Sequence, residues 1–187
     1  LLRKRFAMRL TPSQSTLCVI DIQKKIIPTI PTGQQVLTEC CRLVEAANLF
    51  KIQILFTEQY PKGLGQTVKP LATKIKNQKP IEKLSFSCCG TQRFLDQISP
   101  DVETLIVCGI ETHICIAQTV LDVLQAGFRV CIAVDAVGSY REQDHTVALR
   151  RLEGAGAVLS TAEAILFELC GTAENPDFKK MQQLIAR

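Results

Sequence analysis

Strand-like and helix-like segments alternate along this chain, and no other feature of the sequence limits its fold as strongly. Short apolar runs rich in β-branched residues are followed by longer stretches whose apolar residues recur every three or four positions. The strand-like runs cover residues 16–23, 53–59, 102–109, 128–136 and 157–163. The helix-like stretches cover residues 33–50, 112–126, 141–156, 163–170 and 176–186, with one short helix near 68–75 inside a loop of residues 60–80. Because parallel strands are joined by helical crossovers, this alternation predicts an α/β fold with a three-layer, doubly wound parallel sheet of Rossmann-like order and helices on both faces.

Length and composition predict a single domain of the soluble, globular kind. The chain has 187 residues, of which 47% are hydrophobic and 21% are charged, and it contains no linker or internal repeat. Its first ten residues carry four basic side chains and no acidic one, so we expect residues 1–10 to form a flexible or additional N-terminal arm on a domain of residues 11–187. No apolar run approaches the roughly 18 residues that cross a bilayer, so no membrane is expected as a partner.

The cysteines are nine in number, and two pairs are adjacent in sequence, at Cys40–Cys41 and Cys88–Cys89. Adjacent cysteines rarely bridge each other, so the pattern predicts reduced thiols in an intracellular compartment. The cytoplasm is preferred, and the basic arm leaves an organelle open. The chain contains no CxxC pair, and its two histidines, His113 and His145, lie far apart. We therefore expect no metal and no cofactor.

Polar side chains stand at the carboxyl ends of the predicted strands, where ligands bind in an open parallel sheet. Asp21 ends the first strand inside an otherwise apolar run, and Glu58 and Gln59 end the second. The turn of residues 109–115 follows the third strand-like run. Asp135 ends the fourth, but an acid in that position often caps the next helix or pairs with a buried base. We prefer that structural role for Asp135, whereas both roles stay open for Asp21.

Cys115 is the candidate nucleophile, in the stretch GIETHICIAQTVLD (109–122). Buried cysteines usually just fill space, and this is the alternative. However, the stretch begins a helical pattern for which Thr112 is a plausible N-cap, so Cys115 falls in the first turn. The free N–H groups and the positive dipole end of a helix favour a thiolate there.

A nucleophilic thiol needs a base, and the sequence offers two kinds. His113 lies two residues from Cys115, on roughly the opposite side of a helix, and His145 belongs to an amphipathic surface helix, so a Cys–His pair is weakly supported. The inward residues of that amphipathic helix are predicted to be Val147, Leu149 and Leu152. The alternative is Asp21 as a carboxylate base with Lys83 beside it. Lys83 lies among apolar residues, so its ammonium would need an acidic partner and would lower the pKa of a nearby thiol.

Three motifs occur in an order that is typical of one superfamily. They are VIDIQ with Asp21, EKLSFS with Lys83, and GIETHIC with Gly109, Thr112 and Cys115, followed by Thr119. Together they resemble the isochorismatase-like cysteine hydrolase superfamily, over nearly the whole chain. The stretch FTEQYPKGLG (56–65) is similar in particular to the isochorismatase-domain-containing subgroup.

The resemblance implies a catalytic triad. Cys115 would attack a carbonyl or similar carbon, Asp21 would take its proton and later give it to the leaving group, and Lys83 would hold both and favour the thiolate. The resemblance also implies a cis peptide bond between Ile110 and Glu111. That bond would turn the amides of Glu111 and Cys115 inward as an oxyanion hole.

The chain departs from the nicotinamidases of this superfamily at residues 58–63, EQYPKG, where those enzymes place an Asp and several histidines that bind a metal. The departure implies metal-independent chemistry and disfavours nicotinamide as a substrate. The retained cysteine points away from vinyl-ether cleavage and towards an amide-type or ester-type bond. Candidate residues for the substrate pocket are Gln23, Gln59, Tyr60 and Phe86, although a core or loop role stays open for each.

We therefore expect a metal-independent cysteine hydrolase that cleaves an amide- or carbamoyl-type C–N bond of a small molecule through a thioester-like intermediate. One alternative is a member of the same fold with little turnover, which binds a ligand or senses oxidants through Cys115. A third, less favoured, is nucleic-acid processing of the ribonuclease type through a basic surface, because charge runs are usually solvated. That surface would comprise Arg3, Lys4, Arg5, Arg9, Lys24, Lys25, Lys74, Lys76 and Lys79. The resemblance also predicts a homo-oligomer of unspecified size, for which the apolar sides of helix 112–126 are suited.

Overall fold

All five predicted strands are present, and a short sixth strand joins them in one parallel sheet. The computed structural model describes residues 9–75 and 78–185. The strands are β1 (Ser15–Ile20), β2 (Gln53–Gln59), β3 (Ile81–Lys83), β4 (Thr104–Ile110), β5 (Arg129–Gly138) and β6 (Val158–Ser160). Their order across the sheet is β3-β2-β1-β4-β5-β6, which is the doubly wound order. The predicted fold class is therefore confirmed.

The helices fill the connections between these strands. They are α1 (Gly33–Leu49), α2 (Pro61–Leu64), α3 (Lys69–Ala72), α4 (Gln92–Asp96), α5 (Ala117–Gln125), α6 (Glu142–Gly154), α7 (Ala162–Cys170) and α8 (Phe178–Ile185). The loop of residues 60–80 thus contains two one-turn helices, α2 and α3, where one was predicted. None of the described helices is long and apolar enough to cross a membrane.

Side chains alternate between the two faces of the sheet and build two separate cores. On one face, Leu17 and Val19 of β1 pack with α1, α7 and α8. On the other face, Cys18 and Ile20 of β1 pack with α4, α5 and α6. All four side chains are at most 2% exposed. This burial on both faces is what a central strand of a doubly wound sheet requires, and it explains the continuous apolar run.

Strand β3 is not among the predicted strands, because its sequence carries little strand signal. It has three residues, of which only Ile81 is apolar, and it follows Lys79 and Pro80. Pairing with β2 fixes it instead, with Ile81 opposite Thr57 and Lys83 opposite the last residue of β2. Lys83 is thereby brought to the carboxyl edge of the sheet.

The inward face of α6 differs from the predicted one. Val147 is 56% exposed, whereas Ala148 and Leu152 face the core at 5% and 0%. Leu149 is partly buried against the same core. Because Ala148 and Leu152 are four residues apart, they form one stripe along the helix, and Val147 is rotated away from it.

Only the last two residues of the predicted N-terminal arm, residues 9 and 10, are among the described residues. Residues 1–8 lie outside the described residues, so the prediction for them is not tested. Leu10 is 4% exposed, and its N–H donates a hydrogen bond to a carboxylate oxygen of Glu168 in α7 at 3.0 Å. The folded body therefore already includes Leu10.

The strand order brings two turns together at the carboxyl edge. β1 lies between β2 and β4, so the order of connection reverses there and a crevice opens between the ends of β1 and β4. Gly109 of β4 pairs with Ile20 of β1 and has a φ of 122°. A Cβ on residue 109 would lie 2.1 Å from the carbonyl oxygen of Ile20. Glycine is therefore required for β4 to approach β1 this closely.

We expect Gly109→Ala to destabilise the fold by about 3 kcal/mol, since it combines a positive φ with a backbone clash. Gly154→Ala is the matched control, because a Cβ there meets nothing within 4 Å. That variant should change the free energy of unfolding by less than about 1 kcal/mol, in the stabilising direction. Urea unfolding followed by circular dichroism measures both. Equal stability of the Gly109→Ala protein and the wild type would contradict this account of the β1–β4 contact.

Candidate active site

Asp21 and Lys83 form a buried ion pair at the carboxyl edge of the sheet. Lys83 Nζ lies 2.7 Å from Asp21 Oδ2, and the two side chains are 0% and 1% exposed. Asp21 follows β1 directly with a φ of 55°, a left-handed conformation that aspartate tolerates better than most residues. Lys83 ends β3, two strands away, so its side chain reaches past β2. Each charge compensates the other in a place where an unpaired charge would be costly.

The Lys83 ammonium has a partner for each of its three N–H groups. It donates to Asp21 Oδ2 at 2.7 Å, to Gln59 Oε1 at 2.8 Å and to the carbonyl oxygen of Phe86 at 3.0 Å. Burial is the largest single effect and acts to lower the pKa of Lys83, but the charge and hydrogen bond of Asp21, together with the nearby Cys88 and Cys115, outweigh it, and the pKa is raised above its ordinary value. Lys83 is therefore a fixed, permanently charged group.

Strand β2 supplies two polar side chains that hold this pair. Thr57 Oγ1 donates to Asp21 Oδ1 at 2.7 Å, and Gln59 binds Lys83 as described. The two residues alternate along the strand and so lie on the same side. Thr57 is not among the residues predicted from the sequence, and Gln59 is predicted only as pocket lining. Two polar residues at alternate positions, beside an acid that ends the neighbouring strand, are the signal that could have indicated both roles.

Cys115 lies in the same crevice and is 7% exposed. Burial raises the pKa of the Cys115 thiol to about 12, with a further upward contribution from the charge and hydrogen bonding of Asp21. The positive charge of Lys83 acts in the opposite direction but does not prevail. The pKa is thus shifted in the direction opposite to the thiolate that a helix start and Lys83 favour, because the thiol is buried and faces a carboxylate. Cys115 keeps its proton at neutral pH.

A hydrogen bond ties the segment after Lys83 to the helix that follows Cys115. The backbone N–H of Cys88 donates to Thr119 Oγ1 at 2.9 Å, and both residues are fully buried. Thr119 lies one helical turn after Cys115, on the same side. This bond helps to keep Lys83 and Cys115 in one crevice.

The turn that carries Cys115 begins differently from the prediction. Residues Thr112–Ile116 form one π-helical turn, and α5 starts only after it. Glu111 precedes the turn, and Thr112 is fully buried inside it, so Thr112 is not the N-cap. Single π turns are frequent at functional sites because they re-aim side chains. The peptide bond between Ile110 and Glu111 is cis.

The two histidines link the turn of residues 112–116 to the segment where β5 passes into α6. His113 Nδ1 lies 3.0 Å from Ser139 Oγ on that segment, and His145 Nδ1, in α6, lies 2.9 Å from Thr112 Oγ1 in the turn. His145 is half-buried rather than at the helix surface, and burial lowers its pKa. Neither contact involves Cys115, so the Cys–His pair gains no support from them.

The predicted pocket residues separate into two groups. Gln23 is fully buried, and its side chain exchanges hydrogen bonds with the backbone of Gln59 at 2.8 and 3.0 Å, so it braces the loop and cannot line a pocket. Tyr60 and Phe86 are 50% and 54% exposed at the carboxyl edge. Tyr60 and Lys83 line a cleft of about 360 Å³, which Cys115 does not line.

The remaining predicted roles are structural or lie outside the crevice. Asp135 Oδ1 accepts the N–H of Ala162 at the start of α7 at 2.8 Å, which is the preferred capping role. Of the proposed basic surface, Lys74 pairs with Glu45 at 2.7 Å, far from the crevice. Arg3, Lys4, Arg5 and Lys76 lie outside the described residues.

All nine cysteines are free thiols. Among residues 9–75 and 78–185, no group of three or more His, Cys, Asp or Glu side chains is placed to hold a metal ion.

Comparison with known proteins finds relatives along nearly the whole chain. Residues 15–164 match the Isochorismatase domain. The chain is 38% identical over 178 residues to human isochorismatase domain-containing protein 2, which covers 95% of this chain and 85% of that protein. These matches agree with the resemblance seen in the three motifs.

Solved structures show the same fold. The MAR1 ribonuclease from Caenorhabditis elegans superposes with a TM-score of 0.91 at 39% identity, covering 95% of this chain and 92% of that one. The YcaC gene product from Escherichia coli, an octameric hydrolase of unknown specificity, gives a TM-score of 0.85 at 20% identity and covers 96% and 97% of the two chains. At that identity the similarity to the YcaC gene product shows the fold alone. By its domain match and its relatives, the chain belongs to the isochorismatase family.

Proposed function

We propose that this protein is a metal-independent cysteine hydrolase that cleaves a small amide- or carbamoyl-type C–N bond. The observation that carries the proposal is the buried Asp21–Lys83 pair beside the Cys115 thiol. A carboxylate that is paired with a fixed ammonium and lies next to a protonated thiol can accept the proton of that thiol. Isochorismatase-family membership is consistent with hydrolase activity.

The first half-reaction forms a thioester. Asp21 accepts the proton of Cys115 as the sulfur attacks the carbonyl carbon, so the thiolate exists only while the new C–S bond forms. The ammonium of Lys83 offsets the growing negative charge on sulfur and then on the substrate oxygen. Asp21 returns the proton to the leaving nitrogen as the C–N bond breaks.

The second half-reaction releases the product. Water attacks the thioester carbon, Asp21 takes the proton of that water, and the C–S bond breaks to give the acid and the free thiol, which regains its proton. In both halves the amides of Glu111 and Cys115 donate to the carbonyl oxygen while it carries charge. Thr57 and Gln59 keep Asp21 and Lys83 in place between the two steps.

Two alternatives are less well supported. A redox sensor needs a thiol that ionises readily, whereas the pKa of Cys115 is raised to about 12.

A ribonuclease role is favoured by the name of the Caenorhabditis elegans relative and by the exposed aromatic rings of Tyr60, Phe86 and Tyr140 at the carboxyl edge, on which bases could stack. A thiol is nevertheless better suited to an acyl carbon than to a phosphate.

We also infer a homo-oligomer. Four of the large apolar side chains that this chain exposes, Tyr60, Leu84, Phe86 and Tyr140, lie just after the carboxyl ends of strands. Such grouping is typical of a contact surface. Sedimentation velocity should show an assembly larger than a monomer, and a monomer at micromolar concentration would contradict this.

The central prediction is an acyl-enzyme on Cys115. With p-nitrophenyl acetate as an activated probe, wild-type protein should release a burst of nitrophenol, and mass spectrometry should locate the acetyl group on the peptide that contains Cys115. Hydroxylamine should remove it. Cys115→Ser should lower the burst rate by at least about 100-fold, whereas Cys170→Ser, a buried thiol outside the crevice, should not.

The same pair of proteins separates hydrolase from ribonuclease. If wild type cleaves a single-stranded RNA and Cys115→Ser does not, while neither forms an acetyl-enzyme, the ribonuclease role replaces the one proposed here. If the two proteins cleave the RNA equally well, the crevice has no part in that activity.

Asp21→Asn should separate thiol reactivity from catalysis. Removing the carboxylate leaves the positive charge of Lys83 beside Cys115, so the pKa of Cys115 should fall. Alkylation of Cys115 by iodoacetamide near neutral pH should therefore become faster, by about tenfold, while acetyl-enzyme formation is lost. Lys83→Met should slow alkylation instead. Mass spectrometry of the peptide with Cys115, over a range of pH, measures these rates.

Asp101→Asn, an exposed position before β4 at the opposite edge of the sheet, is the matched control and should behave like the wild type. Slower alkylation in Asp21→Asn than in the wild type would show that Asp21 does not hold the proton on the thiol.

A further inference from the structure

Three consecutive side chains ahead of Cys115 cross to one neighbouring segment. Glu111 Oε2 accepts the backbone N–H of Tyr140 at 2.8 Å. Thr112 Oγ1 lies 2.9 Å from His145 Nδ1, and His113 Nδ1 lies 3.0 Å from Ser139 Oγ. All three partners belong to residues 139–145, where β5 passes into α6. The turn that carries Cys115 is thus held in place by three side chains to which the proposed mechanism assigns no chemical step.

Glu111 has the contact that bears most directly on the oxyanion. Its carboxylate is 21% exposed and binds a backbone N–H, a hydrogen bond that its charge strengthens. Its carbonyl oxygen accepts the N–H groups of Ile114 and Ile116 at 3.1 and 3.2 Å. Glu111 is therefore held at both its side chain and its carbonyl. Its own N–H group is attached to the same Cα atom, so these two contacts limit how far that N–H group can move.

We propose that the side chain of Glu111 is a positioning residue for the oxyanion hole, acting through its hydrogen bond to the N–H of Tyr140. The inference rests on the proposed hydrolase function, in which the Glu111 amide donates to the charged carbonyl oxygen. A donor in an oxyanion hole acts only if it is aimed at the place where charge develops. The Glu111 carboxylate orients this donor by linking the turn after β4 to the segment after β5.

His113 adds to this anchor without replacing it. Its Nδ1 atom lies 3.9 Å from Glu111 Oε2, and its Nε2 atom lies 3.9 Å from Asp144 Oδ2. Both distances are too long for a direct hydrogen bond. The 2.8 Å bond to Tyr140 is therefore the contact that fixes the Glu111 carboxylate.

A positioning role and a purely structural role differ in what they change. Alkylation of Cys115 by iodoacetamide displaces iodide and forms no oxyanion, so it reports the position and ionisation of the thiol alone. Acetylation by p-nitrophenyl acetate passes through a tetrahedral oxyanion and needs the donors as well. If the Glu111 amide is no longer oriented towards the oxyanion, acetylation should therefore become slower while the alkylation rate is unchanged.

The experiment compares both rates in wild type, Glu111→Ala and Glu111→Gln. Glu111→Ala should acetylate at least about tenfold more slowly while its alkylation rate and pH profile stay within about twofold of the wild type. Glu111→Gln should recover most of the acetylation rate, because its amide oxygen still accepts the N–H of Tyr140. Glu153→Ala is the control, since that exposed carboxylate lies in α6 outside residues 139–145.

Each other result has one meaning. If wild type acetylates Cys115 and Glu111→Ala does so at the same rate, the positioning role is refuted and the hydrolase function stands. If both rates fall together in Glu111→Ala, the side chain supports only the fold of the turn, and the inference fails. If the wild type forms no acetyl-enzyme at all, the hydrolase function itself fails, and the oxyanion role fails with it.

Discussion

The ion pair between Asp21 and Lys83 is the interaction on which the crevice depends. Two charges that are almost completely shielded from water would each cost several kcal/mol if left alone. Here every Lys83 N–H has an acceptor, and both oxygens of Asp21 accept from a side chain, one from Lys83 and the other from Thr57. The arrangement exists only because the strand order places the ends of β1, β2 and β3 side by side. A pair of this kind adds little to stability compared with apolar packing. In the proposed mechanism, its value lies in holding the Asp21 carboxylate beside the Cys115 thiol.

The second constraint is that the thiol proposed as the nucleophile is buried beside a carboxylate. Burial and the nearby carboxylate of Asp21 raise the pKa of Cys115 to about 12, although the charge of Lys83 acts in the opposite direction. In the proposed mechanism the proton acceptor is therefore present before the substrate arrives, and ionisation of the thiol is coupled to its attack. A thiol that keeps its proton is also less reactive towards oxidants and unrelated electrophiles, since the thiolate is the reactive form.

Much of the fold could be predicted because buried parallel strands leave continuous apolar runs, as β1 and β4 do. Strand β3 could not, since three residues with one apolar side chain carry no pattern and only the pairing with β2 defines them. In the crevice, Asp21 and Cys115 could be assigned because each follows a strand end at the point where the strand order reverses. The contact of the Glu111 side chain could not, because its partner lies 29 residues away in sequence. The raised pKa of Cys115 could not be predicted either, because the sequence indicates the start of a helix but not how deeply the thiol is buried.

The account depends most directly on the protonation state of Cys115 in the resting protein. Its S–H stretching band can be observed by infrared difference spectroscopy between wild type and Cys115→Ser, as the pH is raised. With the pKa of Cys115 raised to about 12, the band should persist unchanged from neutral pH to about pH 9. In Asp21→Asn the band should be lost at lower pH than in the wild type. Absence of the Cys115 band in the wild type at neutral pH would mean a resting thiolate, and Asp21 could not then be the base that takes its proton.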